Sequence, residues 1–315
     1  MSRLPLHELA QLEALRGASP LVYCVSEQWP KKLTTPDVHA FSRAWQELPR
    51  GKSVDLIIHT EGGMVAAARS FALQLRQHAS RLEVLVPYKA RSAGTLLCLA
   101  ADAIILGPVA EFSPIDPLIR SGGEASSSLP KWISSQDIRA FRAMADQWFE
   151  LRSEESRLKV LDILSQRLFP PALGAFFRAD QFVRKVAREL IAYQLPEATD
   201  AVKAGIVDQL VEGYPTHNDP INRHEILHLG LRARAASDPE ERLMAAIQGE
   251  CQSYMASTAE SGTKGRVRAL FFGRGFGLRF VDFRRADVAS SADDEEAAGG
   301  DASRRWQEID IRRDA

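Results

Sequence analysis

Two short glycine-containing segments each follow a predicted buried strand and precede a predicted helix. The first is HTEGG (59–63), after the apolar stretch 54–58, and the second is RSAGT (91–95), after the stretch 83–87. Because the carboxyl ends of parallel strands meet at one edge of a sheet, we expect both turns to lie at that edge, where ligands bind. This places the hydroxyl of Ser92 beside a Gly-Gly turn.

A serine at the start of a helix can act as a nucleophile. Free N–H groups at a helix N-terminus stabilise a nearby oxyanion. Ser92, the amide of Ala93 and an amide of Gly62 or Gly63 would together form a nucleophile and an oxyanion hole suited to acyl transfer. Serine is also a good helix N-cap without any chemistry, and local spacing alone favours that interpretation.

Strands and helices alternate through the first third of the chain. Apolar runs predict four strands, at residues 21–25, 54–58, 83–87 and 103–106. Apolar residues at helical spacing predict helices that begin near Thr35-Pro36, over 64–77 and over 92–101. This order predicts an α/β fold with a parallel sheet core of βαβ units.

The remainder of the chain is less regular. We expect helix from 138 to about 168, a break at Pro170-Pro171, and helix again over 182–194. Residues 202–211 resemble a helix end, a glycine C-cap and a short strand.

These elements and the composition divide the chain into four regions. We predict an N-terminal segment (1–20), a main α/β domain (20–215) with a helical excursion at about 130–195, a C-terminal helical extension (216–285) and a disordered tail (286–315), which is rich in Asp, Glu, Gly and Ser.

Charge and hydropathy exclude several classes of protein. The 40 basic and 41 acidic side chains nearly cancel, so no net field favours nucleic acid as a partner. No apolar run reaches the roughly 18 residues of a membrane span, and the N-terminus lacks the apolar core of a signal peptide. Three widely spaced cysteines indicate buried thiols in a reducing compartment. We therefore predict a cytoplasmic protein.

Several motifs, taken together, are similar to the serine dehydrogenase proteinase family. They are HTEGG (59–63), PYKARSAGTLLCLAADAIILGP (87–108), SPIDP (113–117), AVKAGIVDQL (201–210) and GYPTHNDPI (213–221). That family is a branch of the Clp-protease/crotonase superfamily and is related to signal peptide peptidases. The resemblance covers roughly residues 20–232. It implies a Clp-protease/crotonase-like fold, a peptide or protein substrate, a homo-oligomer and no cofactor.

The resemblance also implies roles for individual residues. Ser92 takes the nucleophile position, and the amides of Gly62, Gly63 and Ala93 take the oxyanion hole. The family is credited with a Ser–Asp–His triad, for which the candidates in this chain are Asp116 and His217.

The residue that would take the proton from Ser92 has two candidates. In Clp proteases the catalytic histidine falls at about the position of Asp116 in this chain. The order of catalytic residues along this chain therefore differs from that in Clp proteases. Signal peptide peptidases use a lysine instead, and Lys131, 39 residues after Ser92, is the candidate for that role.

Two further patterns compete with this interpretation. His224, Glu225 and His228 match the HExxH pattern of zinc peptidases, which we interpret as coincidental because Asn222 and Glu225 also form a helix-capping pair. Residues 264–285 alternate arginine with phenylalanine; contact with a membrane surface or partner protein is one interpretation, and packing on this or a neighbouring subunit is the favoured one. A catalytically silent assembly or peptide-binding scaffold with the same fold is the remaining alternative.

Overall fold

The computed structural model describes residues 3–42, 45, 50–120, 132–167, 170–260, 265–283 and 304–311. The following account concerns these residues. Lys131 lies outside them.

The strands are β1 (Ser19–Val25), β2 (Ser53–His59), β3 (Arg81–Val86), β4 (Lys89–Ala90), β5 (Ala103–Leu106), β6 (Glu111–Phe112), β7 (Leu118–Arg120), β8 (Trp132–Ser134), β9 (Ile221–Asn222), β10 (Ala233–Ala235), β11 (Arg266–Phe272), β12 (Gly277–Asp282) and β13 (Arg304–Glu308). The helices are α1 (Leu6–Arg16), α2 (Thr35–Ser42), α3 (Val65–His78), α4 (Ala93–Leu99), α5 (Ser135–Trp148), α6 (Glu154–Arg167), α7 (Pro170–Gln194), α8 (Asp200–Glu212), α9 (Arg223–His228) and α10 (Asp238–Glu260).

Within the described ranges, the main sheet has eight strands in the order β10-β5-β3-β2-β1-β11-β12-β13. The first five strands of this order are parallel, and β11 pairs with β1 antiparallel. The α/β fold with a parallel core of βαβ units is therefore confirmed. The four strands predicted from apolar runs are β1, β2, β3 and β5.

Both faces of the sheet are covered, as continuous apolar strands require. Alternate residues of a strand point to opposite faces. In β1, Tyr23 packs with α2, α3, α4, α7 and α8 in one apolar cluster, whereas Val22 and Cys24 pack with α1 and α10 in the other. All three cysteines are buried free thiols.

Two helix predictions are wrong in detail. The helix expected from 138 to 168 is two helices, α5 and α6, because Glu150 adopts a left-handed φ of 54° and Ser153 caps the second helix through the amide of Ser156. Pro170-Pro171 begins α7 rather than breaking a helix, which suits proline's fixed φ and missing N–H in a first turn.

The short strand expected within 202–211 is absent from the structure of that segment. Helix α8 runs through it, with Thr199 accepting the amide of Val202 as N-cap. Its β-branched residues Ile206, Val207 and Val211 are buried together at helical spacing, so tertiary packing overrides their strand propensity.

The C-terminal region also differs from the prediction. Among the described residues of the expected helical extension, the helices are α9 and α10, while β11 and β12 join the main sheet. Residues 304–308, expected to be disordered, form β13 on its edge. The arginine–phenylalanine segment is therefore a hairpin of the core. Since Phe271, Phe272 and Phe280 are buried, they do not form a membrane or partner surface.

A buried ionic cluster joins α1 to the strands. The guanidinium of Arg16 hydrogen-bonds Asp55 at 2.5 Å and also binds the carboxylates of Glu83 and Glu240. Burial opposes the charge on Arg16, yet the three carboxylates raise its pKa above the usual range. The cluster lies at the amino ends of β2 and β3, away from the glycine turns.

None of the helices in the described ranges is long and apolar enough to cross a membrane.

Candidate active site

A second, three-stranded sheet brings the three candidate triad segments together. Its order is β4-β6-β9. Strand β4 ends two residues before Ser92, β6 ends immediately before SPIDP (113–117), and β9 begins four residues after His217. Pairs Ala90–Phe112 and Phe112–Ile221 fix the register of this sheet. Segments distant in sequence therefore meet at one edge of the main sheet.

The two glycine turns lie side by side, as expected from parallel strands. Thr60 and Ala90 form a parallel bridge, in which the Thr60 amide donates to Lys89 and the Arg91 amide donates to Thr60. A Cβ at Gly94 would lie 2.6 Å from Thr60 Cγ2, so the side chain of Thr60 packs directly against the backbone of Gly94. This contact fixes the HTEGG turn against the start of α4.

Ser92 occupies the N-cap position of α4 but does not cap it. Its backbone has φ 48° and ψ −107°, and its side chain accepts no hydrogen bond from the helix amides. A non-glycine residue in this region carries backbone strain of about 1–3 kcal/mol, and such strain concentrates at functional sites. A sharp strand-to-helix turn of this kind exposes the serine nucleophile in other hydrolases. The simple capping interpretation is therefore not supported by the geometry.

Ser113 and Thr95 hold this strained turn. The Ser92 amide donates to Ser113 Oγ at 2.9 Å. Thr95 Oγ1 lies 2.8 Å from the Ala90 carbonyl and 3.0 Å from that of Ser113. Neither Ser113 nor Thr95 was among the functional residues predicted from sequence, although they lie within the motifs SPIDP (113–117) and RSAGT (91–95). Their buried hydroxyls connect the nucleophile turn to the segment that carries Asp116.

Asp116 and His217 form a hydrogen-bonded pair. His217 Nδ1 and Asp116 Oδ1 are 2.8 Å apart. The Asp116 side chain is fully buried, whereas that of His217 is 18% exposed. Asp116 Oδ2 is buried with no hydrogen-bond partner among the described residues. A buried carboxylate on Nδ1 orients an imidazole so that Nε2 is left to exchange a proton.

The backbone amides of the two turns differ in their hydrogen bonding. Gly62 donates its amide to Thr60 Oγ1 at 3.1 Å, so of the three predicted donors it is already engaged. Within the described part of the chain, the amides of Gly63 and Ala93 have no recorded hydrogen-bond partner. A Cβ added to Gly62 would lie 2.9 Å from Ser92 Cβ and 3.4 Å from the Ala93 nitrogen, so the two turns are in contact.

Leu33 supports the glycine turn from behind. Its amide donates to Gly62 O at 2.9 Å, and its carbonyl accepts from Met64 at 2.8 Å. A Cβ on Gly63 would lie 2.3 Å from the Leu33 backbone. Together with left-handed φ values of 105° at Gly62 and 156° at Gly63, this contact explains why both positions are glycine.

Two further ionisable side chains near the turns, those of His59 and Lys89, are unsuited to act as a base. His59 is buried, and burial lowers its pKa to about 4. Burial would also lower the pKa of Lys89, but its hydrogen bond to Glu61 and the charge of that carboxylate outweigh burial and raise it. A lysine base requires a lowered pKa. Lys131 lies outside the described residues.

The HExxH residues lie on α9, where Glu225 has a structural role. Its carboxylate accepts the Asn222 amide at 3.0 Å, and Asn222 caps the Glu225 amide in return. The rings of His224 and His228 are 4.3 Å apart, and His228 Nδ1 hydrogen-bonds the His224 carbonyl. Within the described ranges, no three His, Cys, Asp or Glu side chains are grouped as a metal site would require.

Comparisons with known proteins agree with the sequence motifs. Residues 30–138 match the model of the ClpP-like SDH-type serine proteinase family. The uncharacterized protein MJ0137 of Methanocaldococcus jannaschii is 32% identical over 201 residues, which are 64% of this chain and 60% of the relative. Protein MJ1495 of the same organism is 40% identical over 89 residues, 28% of this chain and 30% of the relative. This chain therefore spans less than two thirds of either relative's length.

Solved structures with a detectable likeness include two mutant forms of the 1510-N membrane-bound stomatin-specific protease, one in complex with a substrate peptide. Each is 15% identical to this chain. The TM-scores are 0.39, over 70% of this chain and 82% of that one, and 0.38, over 68% and 74%. This likeness is too distant to carry a conclusion about the site. The family match over residues 30–138 confirms the resemblance drawn from the motifs and, for this segment, a Clp-protease-like fold.

Proposed function

We propose that this protein is a serine peptidase that hydrolyses peptide bonds through an acyl-enzyme on Ser92. The observation that carries the proposal is the conformation of Ser92 at the start of α4. Its backbone is strained, its hydroxyl does not cap the helix, and it contacts the glycine turn. A serine that served only the helix would have no reason to adopt this conformation.

His217 is the proposed base. Serine is a weak nucleophile at neutral pH and needs a neighbouring group to take its proton. The imidazole of His217 is partly exposed and is oriented through Nδ1 by buried Asp116. In the proposed mechanism His217 Nε2 removes the Ser92 proton, Asp116 stabilises the imidazolium, and the same proton then passes to the leaving amine.

The amides of Gly63 and Ala93 are the proposed oxyanion hole. Attack of Ser92 on a peptide carbonyl places negative charge on the carbonyl oxygen, which preorganised amides stabilise. Among the described residues neither amide has a hydrogen-bond partner; Ala93 directly follows Ser92, and Gly63 directly follows Gly62, which contacts Ser92. The Gly62 amide, in contrast, donates to Thr60 Oγ1. We therefore assign Gly62 the role of allowing the two turns to approach, and Gly63 and Ala93 the role of donors. Water attack on the acyl group completes the cycle.

Peptide or protein substrates and assembly as a homo-oligomer belong to this proposal because the resemblance to the family implies them. Lys131 is the competing base, as in the sequence analysis.

The first experiment uses a fluorophosphonate probe and hydrolysis of an unstructured peptide. Wild-type protein should be labelled and should cleave the peptide, and Ser92→Ala should do neither. Labelling or cleavage that survives in Ser92→Ala would refute the nucleophile. A protein that leaves the peptide intact and resists the probe would instead be the catalytically silent scaffold.

The second experiment identifies the base. His217→Ala should slow labelling by roughly 10²–10⁴-fold, the usual contribution of a general base, while Lys131→Ala should label at close to the wild-type rate. The opposite ranking would assign the base to Lys131. Equal retention of the labelling rate in both variants would refute both candidates.

A further inference from the structure

Arg91 connects the nucleophile turn to the loop that carries His217. Its Nη2 donates to the backbone carbonyl of Asn218 at 2.7 Å. Arg91 immediately precedes Ser92, and Asn218 immediately follows His217. A single hydrogen bond therefore joins two residues that are each one position away from the proposed nucleophile and base.

Two carboxylates hold the guanidinium in this orientation. Nη1 lies 3.5 Å from Glu61, in the glycine turn, and Nε lies 3.8 Å from Glu111, in β6. The Arg91 side chain is only 19% exposed. Because the planar guanidinium offers donors in several directions at once, it can contact both acids and the Asn218 carbonyl together, which an ammonium cannot do.

The loop between α8 and β9 needs such a contact. It consists of bends and turns over residues 213–218, with no strand or helix to fix its position. The hydrogen bond with Asp116 holds the imidazole of His217, and the hydrogen bond from Arg91 to the Asn218 carbonyl holds the adjacent backbone. An error of about 1 Å in the position of a catalytic group can reduce the rate roughly 10²-fold.

We propose that Arg91 is a positioning residue for the proposed base. It acts through the carbonyl of Asn218 to hold the 213–218 loop, and thereby His217, in register with the Ser92 turn. This inference rests on the proposed function. It predicts an effect on the chemical step with little effect on folding, because Arg91 lies outside the apolar core.

The test compares Arg91→Ala and Arg91→Lys with the matched control Arg69→Ala. Arg69 forms a bidentate ion pair with Glu189 at 2.7 Å on the exposed sides of α3 and α7. Three quantities are measured: the rate of Ser92 phosphonylation, kcat and KM for peptide cleavage, and hydrogen–deuterium exchange of the 213–218 amides. Thermal unfolding of each variant shows whether it is folded.

Arg91→Ala should lower the phosphonylation rate and kcat by roughly 10–100-fold, leave KM nearly unchanged and accelerate exchange in the 213–218 loop. Arg91→Lys should resemble Arg91→Ala, and added guanidinium should restore part of the rate in Arg91→Ala. Arg69→Ala should match wild type in rate and in loop exchange. If Arg91→Ala fails to fold, Arg91→Lys is compared with wild type and Arg69→Ala in its place.

Unchanged exchange of the loop, or an unchanged phosphonylation rate, in a folded Arg91 variant would overturn this role and leave the proposed function standing. Wild-type protein without any label at Ser92 would instead overturn the proposed function, and the role of Arg91 with it.

Discussion

The carboxylate of Asp116 and the imidazole of His217 are separated by 101 residues in sequence and by 2.8 Å in the structure. Asp116 follows β6, and His217 precedes β9, and these two strands pair with each other. The pairing explains how a buried acid from one segment meets a partly exposed histidine from another. The same small sheet includes β4, which leads to Ser92.

Loss of the charge on Asp116 should impair catalysis while the fold is kept. Asp116→Asn retains the shape of the side chain, but its amide can present an N–H to Nδ1 and favour the wrong tautomer of His217. We expect labelling of Ser92 to slow by roughly 10²–10⁴-fold. Asp219→Asn, in the same loop, is the control and should label normally. A rate in Asp116→Asn equal to that of the control would remove Asp116 from the mechanism.

A methyl group at Gly62 should disrupt the site directly. In Gly62→Ala the new Cβ would lie 2.9 Å from Ser92 Cβ at a φ of 105°. We expect a loss of about 1–3 kcal/mol in unfolding free energy together with loss of Ser92 labelling. The matched control is Gly205→Ala, on the exposed side of α8 with open space around it, which should stabilise the protein by about 0.5–1 kcal/mol. Normal labelling in Gly62→Ala would show that the two turns can separate without cost to the site.

His59 should make the protein less stable in acid. Burial lowers the pKa of His59 to about 4 in the folded state, whereas the unfolded value is 6.5. Since the unfolded chain then takes up the proton first, stability is lost as the pH falls from 6.5 towards 4, by roughly 3 kcal/mol in total. The unfolding free energy, measured by urea unfolding and plotted against pH over this range, should differ in slope between wild type and His59→Gln. His7→Gln, exposed on α1, should keep the wild-type slope; a wild-type slope in His59→Gln would contradict the assignment.

Removal of Arg16 should destabilise the protein by about 3–5 kcal/mol at neutral pH, because it leaves buried carboxylates without their counter-ion. Burial already raises the pKa of Asp55, and Arg16 opposes that rise. A carboxyl group whose pKa is raised in the folded state destabilises the fold as the pH rises through that pKa. The loss of unfolding free energy in Arg16→Met, relative to wild type, should therefore be smaller near pH 4 than at pH 7. Arg274→Ala, which breaks an exposed pair with Glu13, should cost about 0–1 kcal/mol. Equal effects in the two variants, measured by denaturant unfolding, would contradict this role.

The parallel core could be predicted from sequence because its strands are continuous apolar runs separated by turn residues and helices. Helix α8 could not, since Ile206, Val207 and Val211 favour strands in isolation and become helical through burial against the core. Strands β11 and β12 were not predicted because they lie in the region 216–285, which was expected to be a helical extension. Strand β13 was missed because the tail that contains it, residues 286–315, is rich in Asp, Glu, Gly and Ser, a composition typical of disorder.

For the candidate site, motif resemblance was enough to select Ser92, Asp116 and His217. The contacts that organise them were not predictable, because the Ser113 hydroxyl, the Thr60–Ala90 bridge and the Arg91–Asn218 bond depend on which segments the small sheet brings together. The engagement of the Gly62 amide by Thr60 likewise appears only in the folded geometry.

The most direct test of the central claim is the position of the covalent adduct. Wild-type protein treated with a fluorophosphonate is digested, and the modified peptide is sequenced by mass spectrometry. We expect one adduct per chain, on Ser92, formed at a rate that falls in His217→Ala. An adduct on a different residue, or peptide cleavage that continues in Ser92→Ala, would contradict it.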